Sequence, residues 1–521
     1  MPEIKNNFLR GVMNKDLDER LVPNGQYIDA LNVEVTTSED GGTISNIKGN
    51  LRVDNLPLYA EQEYICVGSI VDEKNNSIYW FISGRTIDAI AEFNVDTEET
   101  TMVAVDELKQ TDKAFLRFSK KNITGINIID DFLLFTDNTN EPKKINIKRF
   151  KEATDGFQHT KLIIEGVDYG NVEEQHVTAI KKAPTQSPKY TINYTEDARL
   201  ANYKRSLFER IFPRFAFRYK YVDGEYSAFS PFTGVVFNPY YRRTFNDNNY
   251  YSPQEGHNTS MMNYIDSINL YDFVPKDIPQ DVVQVDLLYK QDDSPTVYSV
   301  AKIKKDSNDW NARGFESSVW TSSNTTSLGD LSIDKGRYIV STENIYAAIP
   351  ENQLLRPWDN LPRKALAQEV TGNRVVYGNY VQGYDVDSEP NIQAAYEQKK
   401  YYSTLSEGGV SSVKSLRDYQ LGFVLGDKYG RETPVITSTN ANVKVPFSDS
   451  DGVVAINPIS LCAELNFEFP EWAEYFKFYV KQTAGEYYNL IIDKAYDPAT
   501  YSEFQNEPTH TWIAVNSSER K

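Results

Sequence analysis

The chain has 521 residues, which predicts about three domains at roughly 100–200 residues each, and 40% of the residues are hydrophobic. Aromatic residues make up 13% and include 35 tyrosines, a side chain that favours strands, so we predict a mostly-β protein. The 74 acidic residues outnumber the 55 basic ones, giving a net charge of -19. That charge argues against a surface that grips duplex DNA, but not against a wall that DNA slides past.

Neither a targeting segment nor a membrane span is evident. The first ten residues, MPEIKNNFLR, lack the apolar region of a signal peptide. No apolar run approaches the ~18 residues of a membrane helix, so we expect folding in a cytoplasm and no membrane insertion by this chain. Cys66 and Cys462 have no disulfide or zinc spacing, and we expect both to be small buried groups.

The first predicted element is the stretch of residues 11–35, GVMNKDLDERLVPNGQYIDALNVEV, here called the strap. It is too polar for a signal peptide and too broken for a helix. A turn at Pro23-Asn24-Gly25 precedes an alternating strand, Tyr27–Val35. A segment of this kind is expected to be ordered by contact with another surface.

Three stretches share a strand, a polar Asp/Asn/Gly turn and a second strand, which is a hairpin signal. NEPKKINIKRF follows the second of them and predicts a turn and a further alternating strand. Strand pairs of this kind recur in β-propeller blades, although unrelated hairpins of a sandwich would give the same pattern. The three stretches are Gly68–Ser83, Gly125–Thr139 and Gln368–Tyr380.

A longer pattern occurs twice. Arg214–Pro231 and Arg417–Pro434 each have a strand, an Asp-containing turn with glycine, and a short strand that ends in Ser/Thr-Pro. Downstream, Val282–Ile303 and Tyr475–Lys494 each have a strand that contains Lys-Gln, a turn and a strand rich in Tyr and Ile. This order indicates an internal duplication of a small β-sandwich of the immunoglobulin or fibronectin III class.

The predicted architecture is therefore a β-propeller-like domain interrupted by two immunoglobulin/fibronectin III-like β-sandwich modules. Long loops at Tyr240–Tyr264 and Asp306–Asp330 are expected to contact partners. The predicted segments are the strap and first strands at 1–60, the first propeller segment at 61–170, sandwich 1 with long loops at 171–340, the return to the propeller at 341–400, and sandwich 2 at 401–521.

Titratable residues form no recognisable catalytic constellation. No GxSxG, P-loop or HExxH motif occurs, and the histidines lack metal-ligand spacing, so we interpret each as a surface or hydrogen-bonded residue. Asp449-Ser450-Asp451-Gly452 resembles the start of a calcium loop, but position 12 of such a loop would be Ser460, and we predict a turn. No enzyme activity, cofactor or metal is predicted. The four histidines are His159, His176, His257 and His510.

Two binding alternatives stay open. In FPRFAFRYKY, residues 212–221, alternation places aromatic residues on one strand face and Arg214, Ala216, Arg218 and Lys220 on the other, which predicts a sandwich strand with a solvated basic face rather than a DNA contact. A glycan-binding or glycan-cleaving module would need exposed tryptophans beside paired carboxylates. The tryptophans to examine are Trp310, Trp320 and Trp358.

The strap, followed by GGTISNIKGN, resembles the start of the tail muzzle proteins of crAss-like bacteriophages, with Asp29 to Asn32 and Gly41-Gly42 at the places of the D-x-x-N pattern and the glycine-bounded turn. Ile349–Ala365 and Gly426–Val435 also look like that group. More distantly, the chain is similar to podoviral nozzle and packaged-DNA stabilisation proteins. Muzzle-like chains tend to be longer, which leaves open a fragment, or cleavage beyond residue 521.

The resemblance implies a structural protein of the virion tail, assembled in the host cytoplasm. Its expected form is a homo-oligomer, a hexameric ring below the portal and adaptor rings and beside other tail proteins. Double-stranded DNA would pass through without sequence-specific binding, and the ring would retain and then release the genome. The strap would then dock on the propeller or a neighbouring ring, or instead cap the chain's own first sheet. The candidate assembly residues are Gly11, Asp16, Pro23, Gly25, Tyr27, Asp29 and Asn32.

Overall fold

The protein is mostly β, with 48% strand and 6% helix, as composition predicts. The computed structural model divides into two units, Met1–Leu58 and Tyr59–Lys521, which are treated separately. The structure describes residues 12–36, 43–47, 49, 63–194, 206–238, 251–252, 257–258, 263–291, 294–315, 331–343, 347–354, 361–372, 374–386, 391–398, 412–449, 452–453, 458–482, 492–496 and 512–515.

The first unit contains two small strand pairs. β1 (Val12–Met13) pairs in parallel with β2 (Gln26–Tyr27), and a single 3₁₀ turn, Glu19–Leu21, lies between them. Asp18 caps this turn by accepting a hydrogen bond from the Arg20 amide. β3 (Val33–Thr36) and β4 (Thr43–Asn46) form an antiparallel hairpin.

The second unit begins with two antiparallel sheets that share one apolar core. β5 (Ile65–Asp72), β6 (Ser77–Ser83), β7 (Asp88–Asn94) and β8 (Glu99–Asp106) form a meander in chain order. β9 (Gly125–Ile129), β10 (Phe132–Thr136) and β11 (Lys143–Asn146) form the next sheet. The first two predicted hairpins are confirmed by β5–β6 and β9–β10. The shared core includes Val67, Phe81, Phe115, Phe135 and Ile145.

Short elements close this core. α1 (Ile147–Glu152) follows β11 directly, with Asn146 as its N-cap, so the alternating strand expected in NEPKKINIKRF is shorter than predicted. Ile147 and Phe150 enter the core from one face of α1, which favours the helix over a longer strand. β12 (Lys161–Ile164) and β13 (Val167–Asn171) form a hairpin, and α2 (Glu174–Val177) follows it.

Two buried aspartates at the ends of β7 and β8 fix the loop that connects the two sheets. Asp88 and Asp106 are paired across the strands. Asp106 Oδ2 accepts hydrogen bonds from the amides of Phe115 (2.7 Å) and Leu116 (2.8 Å), and Asp88 Oδ2 accepts one from Phe118 (2.7 Å). These carboxylates satisfy buried backbone donors that have no strand partner, so the loop is pinned over the core. Burial raises the pKa of Asp88 to about 6, against the opposing effect of Lys109.

The next part of the chain has two sheets around a second core. One sheet contains β14 (Lys189–Asn193), β18 (Ser267–Val274), β22 (Leu331–Val340) and β21 (Arg313–Phe315), and the other contains β15 (Pro213–Tyr221), β19 (Val282–Gln291) and β20 (Val297–Lys304). Between them in sequence lie the pair β16 (Tyr251–Ser252) and β17 (His257–Asn258), and α3 (Asn308–Asn311). We call this region repeat 1.

The chain then returns to the first sheets. After α4 (Glu351–Leu354), β23 (Lys364–Thr371) and β24 (Arg374–Val381) form the third predicted hairpin. Thr136 Oγ1 donates to the carbonyl of Ala365 (2.8 Å), and Gln368 Nε2 donates to Asn127 Oδ1 (3.1 Å). A Cβ at Gly125 would lie 2.8 Å from the Gln368 amide nitrogen, so this approach of β23 to β9 requires glycine.

A second region, repeat 2, reuses the strand pairings of repeat 1. β25 (Asn391–Gln398) pairs with β30 (Ile459–Asn466), and β26 (Arg417–Gly426) pairs with β27 (Asn442–Val445) and β31 (Tyr475–Gln482). β28 (Ser448–Asp449) and β29 (Gly452–Val453) form a tight hairpin, and β32 (Ile492–Tyr496) pairs with β33 (Trp512–Val515).

The register of the two repeats is the same. Ala216 of β15 pairs with Leu288 of β19 in repeat 1, and Gly422 of β26 pairs with Tyr479 of β31 in repeat 2. The residue numbers of equivalent positions therefore differ by 206 between β15 and β26 (422 minus 216) and by 191 between β19 and β31 (479 minus 288). The same two shifts relate the β14–β18 pairing to the β25–β30 pairing. The internal duplication predicted from sequence is therefore present as four equivalent strands in the same order.

The segment that follows the first long strand is also equivalent in the two repeats. In repeat 1, the Ser227 amide donates to Tyr219, whose own amide donates to the Ser227 hydroxyl. In repeat 2, the Thr433 amide donates to Leu425, whose own amide donates to the Thr433 hydroxyl. In both repeats, a side-chain hydroxyl therefore accepts the hydrogen bond that a main-chain carbonyl would accept in a regular β-ladder. This explains why Ser and Thr occur at equivalent positions in this segment.

Two sequence expectations are wrong. The face of β15 that contains Ala216 and Arg218 is not solvated, because both residues are buried, and Arg218 pairs with buried Asp286 and stacks 3.9 Å from the centroid of Tyr226. Cys66 is exposed and Cys462 is half-buried, so neither is a fully buried apolar group. The strand predicted to return along β31 falls mainly on residues 483–491, which lie outside the described residues.

A buried polar cluster joins repeat 2 to the first sheets. Arg431 Nε donates to Asp427 (2.6 Å), and its Nη2 donates to Glu141 (2.9 Å) and to the Tyr384 hydroxyl (3.2 Å). Tyr384 in turn donates to Asp427 (2.8 Å), and its ring stacks 3.9 Å from that of Trp472. Burial alone would lower the pKa of Arg431, but the Asp427 carboxylate holds that pKa above its usual value.

The Asp106 contacts lead to a first prediction. Asp106→Ala should lower the free energy of unfolding by about 3 kcal/mol, because two buried amides lose their acceptor. Urea denaturation measures this loss, and amide hydrogen exchange at Phe115 and Leu116 should rise with it. The neighbouring substitution Glu107→Ala, at an exposed side chain, is the control. Equal stability of the two variants would contradict the assigned role of Asp106.

The cluster around Arg431 gives a second prediction. Arg431→Met should cost about 3 kcal/mol, because it leaves two buried or half-buried carboxylates without their cation. Tyr384→Phe should cost only about 1 kcal/mol, because the ring can still stack on Trp472. Denaturation followed by tryptophan fluorescence measures both, with exposed Arg374→Met as the control. A larger loss for Tyr384→Phe than for Arg431→Met would contradict this ranking.

Candidate functional site

The described part of the chain contains no group of three or more His, Cys, Asp or Glu residues that could hold a metal ion. His159 is buried, with its Nε2 2.9 Å from the carbonyl of Val172, and His176 is buried, with its Nδ1 accepting from the Glu173 amide. Burial lowers the pKa of His176. Both are hydrogen-bonded structural residues. His257 lies in β17, and His510 lies outside the described residues.

Within the residues that the structure describes, the features considered for glycan or calcium binding give no site. Trp310 is buried in the core of repeat 1, and Trp320 and Trp358 lie outside the described residues. Asp449 pairs with Gly452 across the β28–β29 hairpin, which is the geometry of the turn predicted there. In the described residues, no helix is long and apolar enough to span a membrane.

The strap is the remaining candidate, and most of its predicted residues are described. The carbonyl of Pro23 accepts from the Gln26 amide (3.0 Å), and Gly25 has φ 103°, so the predicted turn is present and needs glycine. Tyr27 pairs with Met13 in the parallel strand pair. Asn32 has φ 53°, and its carbonyl accepts from the Ile47 amide (3.0 Å), which places it at the base of the β3–β4 hairpin.

The other candidate residues of the strap are less constrained. Asp16 is exposed, and its amide donates to Asn14 Oδ1 (3.2 Å), while Asp29 is exposed beyond β2. Gly11 lies outside the described residues. The sequence therefore located the turn correctly, but the strand predicted at Tyr27–Val35 is wrong, because only Tyr27 in β2 and Val33–Val35 in β3 are strand. Among the described residues, the structure assigns neither acidic residue a partner outside the strap.

Exposed apolar side chains are the distinctive property of the strap. Leu31 is 82% exposed and Leu21 is 67% exposed, and Val12, Met13, Leu17 and Val33 are exposed as well. Among the residues of the first unit whose burial is described, Gly25 alone is buried, so this part has no apolar core of its own. Exposed apolar residues clustered in one segment mark an interaction surface.

Repeat 2 carries a second exposed apolar surface, which sequence reasoning missed. Phe469, Phe476, Phe478 and Val480 are each between 47% and 53% exposed, and we call these four residues the ledge. The rings of Phe469 and Phe476 lie 6.2 Å apart, and those of Phe476 and Phe478 lie 5.3 Å apart. Alternation along β31 could have predicted that these residues share a face, but not that this face is open.

Comparison with known proteins adds the decisive observation. Residues 3–186 match the family model described as Crassvirus muzzle protein. The matched region contains the strap, the first two sheets and the elements through α2. The curated proteins contain no significant match to the chain. The match confirms the resemblance read from the strap: residues 3–186 are similar to the Crassvirus muzzle protein family.

Proposed function

We propose that this chain is a structural protein of the phage tail that assembles with copies of itself into a ring, a hexamer, around the DNA exit channel. The ring lies below the portal and adaptor rings, retains the packaged genome and releases it during ejection. The observation that carries this proposal is the match of residues 3–186 to the muzzle family. The chain works as a scaffold and not as an enzyme.

The surfaces of the molecule support assembly with copies of itself. A chain that exposes an apolar strap and an aromatic ledge has two different surfaces available for contacts. When two different surfaces on one chain bind each other in neighbouring copies, the contact is head-to-tail, and head-to-tail contacts that close form rings. The same logic permits contacts with portal, adaptor and other tail proteins at the open rims.

The charge of the chain supports a channel through which DNA moves. The net charge of -19 gives a mostly like-charged wall for duplex DNA. Such a wall offers few contacts that would hold phosphates, because holding them requires clusters of Lys and Arg. DNA passage without sequence-specific binding follows from this charge, and assembly takes place in the host cytoplasm.

The sheets support a more specific architecture. We assign β5–β8, and β9–β11 with the β23–β24 hairpin, to blades of a propeller-like domain, since a four-stranded antiparallel meander is the unit of a blade. Repeat 1, with two sheets on one core, and repeat 2, with equivalent strand pairings, are the immunoglobulin/fibronectin III-like sandwiches that interrupt it. The glycan-binding alternative is not proposed, because Trp310, the candidate tryptophan that the structure describes, is buried.

The ring itself is the third prediction. Native mass spectrometry of the purified chain should give a closed assembly of six copies, and negative-stain images should show a central hole. Purified portal–adaptor rings should bind this assembly end-on. A chain that stays monomeric at micromolar concentration, both alone and with portal–adaptor rings, would contradict the proposed function.

Deleting residues 1–35 is the fourth prediction. Because the exposed residues of the strap contribute no buried core in their own unit, the remaining chain should fold and lose the ring. Circular dichroism and thermal denaturation report folding, and native mass reports assembly. A variant with exposed Val71 replaced by Glu, on β5, controls for loss of an exposed apolar side chain. An unfolded deletion variant would instead identify the strap as a cap on the chain's own sheet.

A further inference from the structure

The turn at the end of the first long strand is built in the same way in the two repeats. In turn 1 (Tyr221–Glu225), the amide of the first residue donates to the carbonyl of the last (2.8 Å), and turn 2 (Asp427–Arg431) closes in the same way (3.0 Å). The fourth residue of both is glycine with a positive φ, 83° at Gly224 and 92° at Gly430. Equivalent residues are 206 apart, as they are in β15 and β26, so the two repeats present the same backbone turn.

Both turns contact one short segment of the first sheets. This contact segment, residues 141–149, contains β11 and the start of α1. Its acidic part is Glu141, which accepts a hydrogen bond from Arg431 of turn 2 (2.9 Å). Its basic part begins at Lys144, which donates to Glu225 of turn 1 (2.5 Å). The same type of turn is therefore bound at two neighbouring places by opposite charges.

The basic part makes further contacts with turn 1. Arg149 of α1 forms two hydrogen bonds to Asp223, of 2.8 and 3.0 Å, and Asn146 donates a third (3.4 Å). The Arg149 and Asp223 side chains are only 17% and 9% exposed, so this pair is largely desolvated. Val222 is half-buried and packs against the core of the first sheets. Turn 1 is thus held by both charge and apolar contact.

Other ion pairs give the contact of repeat 1 the same polarity. Lys181 pairs with Asp281 (3.3 Å), and Lys182 pairs with Asp277 (3.0 Å). Among the described residues, four ion pairs join repeat 1 to the part of the chain before β14, and in all four the anion belongs to repeat 1. The ion pair of turn 2 with Glu141 has the opposite polarity, because there the repeat supplies the cation.

The wrong turn at either place would meet a like charge. Because Arg431 is the equivalent of Glu225, turn 2 against the basic part would place this arginine beside Lys144. Turn 1 against the acidic part would likewise bring two glutamates together. In addition, the equivalent of Val222 is the exposed Lys428, which would lie against the apolar core of the first sheets. Each arrangement is disfavoured by repulsion as well as by the loss of attraction.

We propose that these opposite charges, and not the shared backbone, determine which repeat lies on which part of the contact segment, so that Glu225 and Arg431 are specificity-determining residues for placing the two repeats. The contact segment lies within residues 3–186, which match the muzzle family model, whereas both turns lie beyond them. The matched region thus receives one kind of module at two places and distinguishes its two versions by charge. This inference concerns the single chain and is independent of the proposed ring.

Amide hydrogen exchange of the full-length chain tests the proposal at turn 1. Lys144→Gln removes the attraction and should raise the exchange of the turn 1 amides about tenfold, whereas Lys144→Glu adds repulsion and should raise it about tenfold further. Glu225→Arg, which gives turn 1 the residue of turn 2, should be as harmful in the wild-type chain but should reverse most of the loss in the Lys144→Glu chain. Lys148→Glu reverses an exposed charge of the same segment and should leave this exchange unchanged.

The acidic part is tested in the same way. Glu141→Gln should raise the exchange of the turn 2 amides, and Glu141→Lys should raise it about tenfold more, because it places a second cation beside Arg431. Both substitutions should leave turn 1 at its wild-type rate. Amides in the interior of β19 should exchange at the wild-type rate in every variant, since repeat 1 itself stays folded.

Three results would overturn the proposal. Equal exchange in the neutral and the charge-reversed variants would mean that the charges do not distinguish the two turns. No recovery in the chain with both Lys144→Glu and Glu225→Arg would mean that this pair does not place turn 1. A rise in β19 as large as that in turn 1 would mean that the pair keeps repeat 1 folded rather than placed. None of these results bears on the ring, which native mass tests separately.

Discussion

The structure depends on one constraint: each sheet has an apolar face that must be covered by another layer. The first two sheets meet this constraint by sharing a core with α1, β12 and α2. Repeat 1 meets it with two sheets of its own, of four and three strands. Repeat 2 has the same four central strands in the same register, but its core divides into two small clusters. The apolar side chains of the ledge, in repeat 2, are about half exposed.

Buried polar residues hold the segments of the chain that connect these layers. Asp88 and Asp106 hold the connection between the first two sheets by accepting from buried amides. Arg431 joins repeat 2 to Glu141, and the Arg218–Asp286 pair sits in the interior of repeat 1. Buried ion pairs of this kind add little net stability, because desolvation offsets the attraction, but breaking one is costly. They therefore favour one arrangement of the layers over alternatives of similar hydrophobic burial.

Local patterns allowed much of this fold to be predicted from sequence. The hairpins were predictable because turn residues fix the chain locally: Asn76 and Asp130, both in the turns of predicted hairpins, have the positive φ values that Asn and Asp tolerate. The duplication was predictable because Lys290-Gln291 and Lys481-Gln482 occupy the same register positions in their strands. The turn of the strap followed from Pro23 and Gly25.

Features that depend on distant partners could not be predicted in this way. Alternation placed Arg218 on a face opposite the aromatic residues, but only the return segment with Tyr226 and the carboxylate of Asp286 bury it. Arg431 contacts Glu141, 290 residues earlier in the chain, and no local signal links them. The exposure of the ledge could not be predicted from sequence either. The sequence of β31 predicts an apolar face, but alternation alone does not tell whether another layer covers that face.

The duplicated repeats also indicate how one fold can serve two purposes. Strand pairing is set by the backbone, so the register survived while side chains on equivalent strands diverged, as Val285 and Phe476 illustrate. A repeat that covers its own core is self-sufficient, and its surface is free to become polar. A repeat with larger, aromatic residues on an uncovered face retains unburied hydrophobic free energy, which binding a partner can recover. Aromatic rings suit that task because they bury a large area with few rotatable bonds.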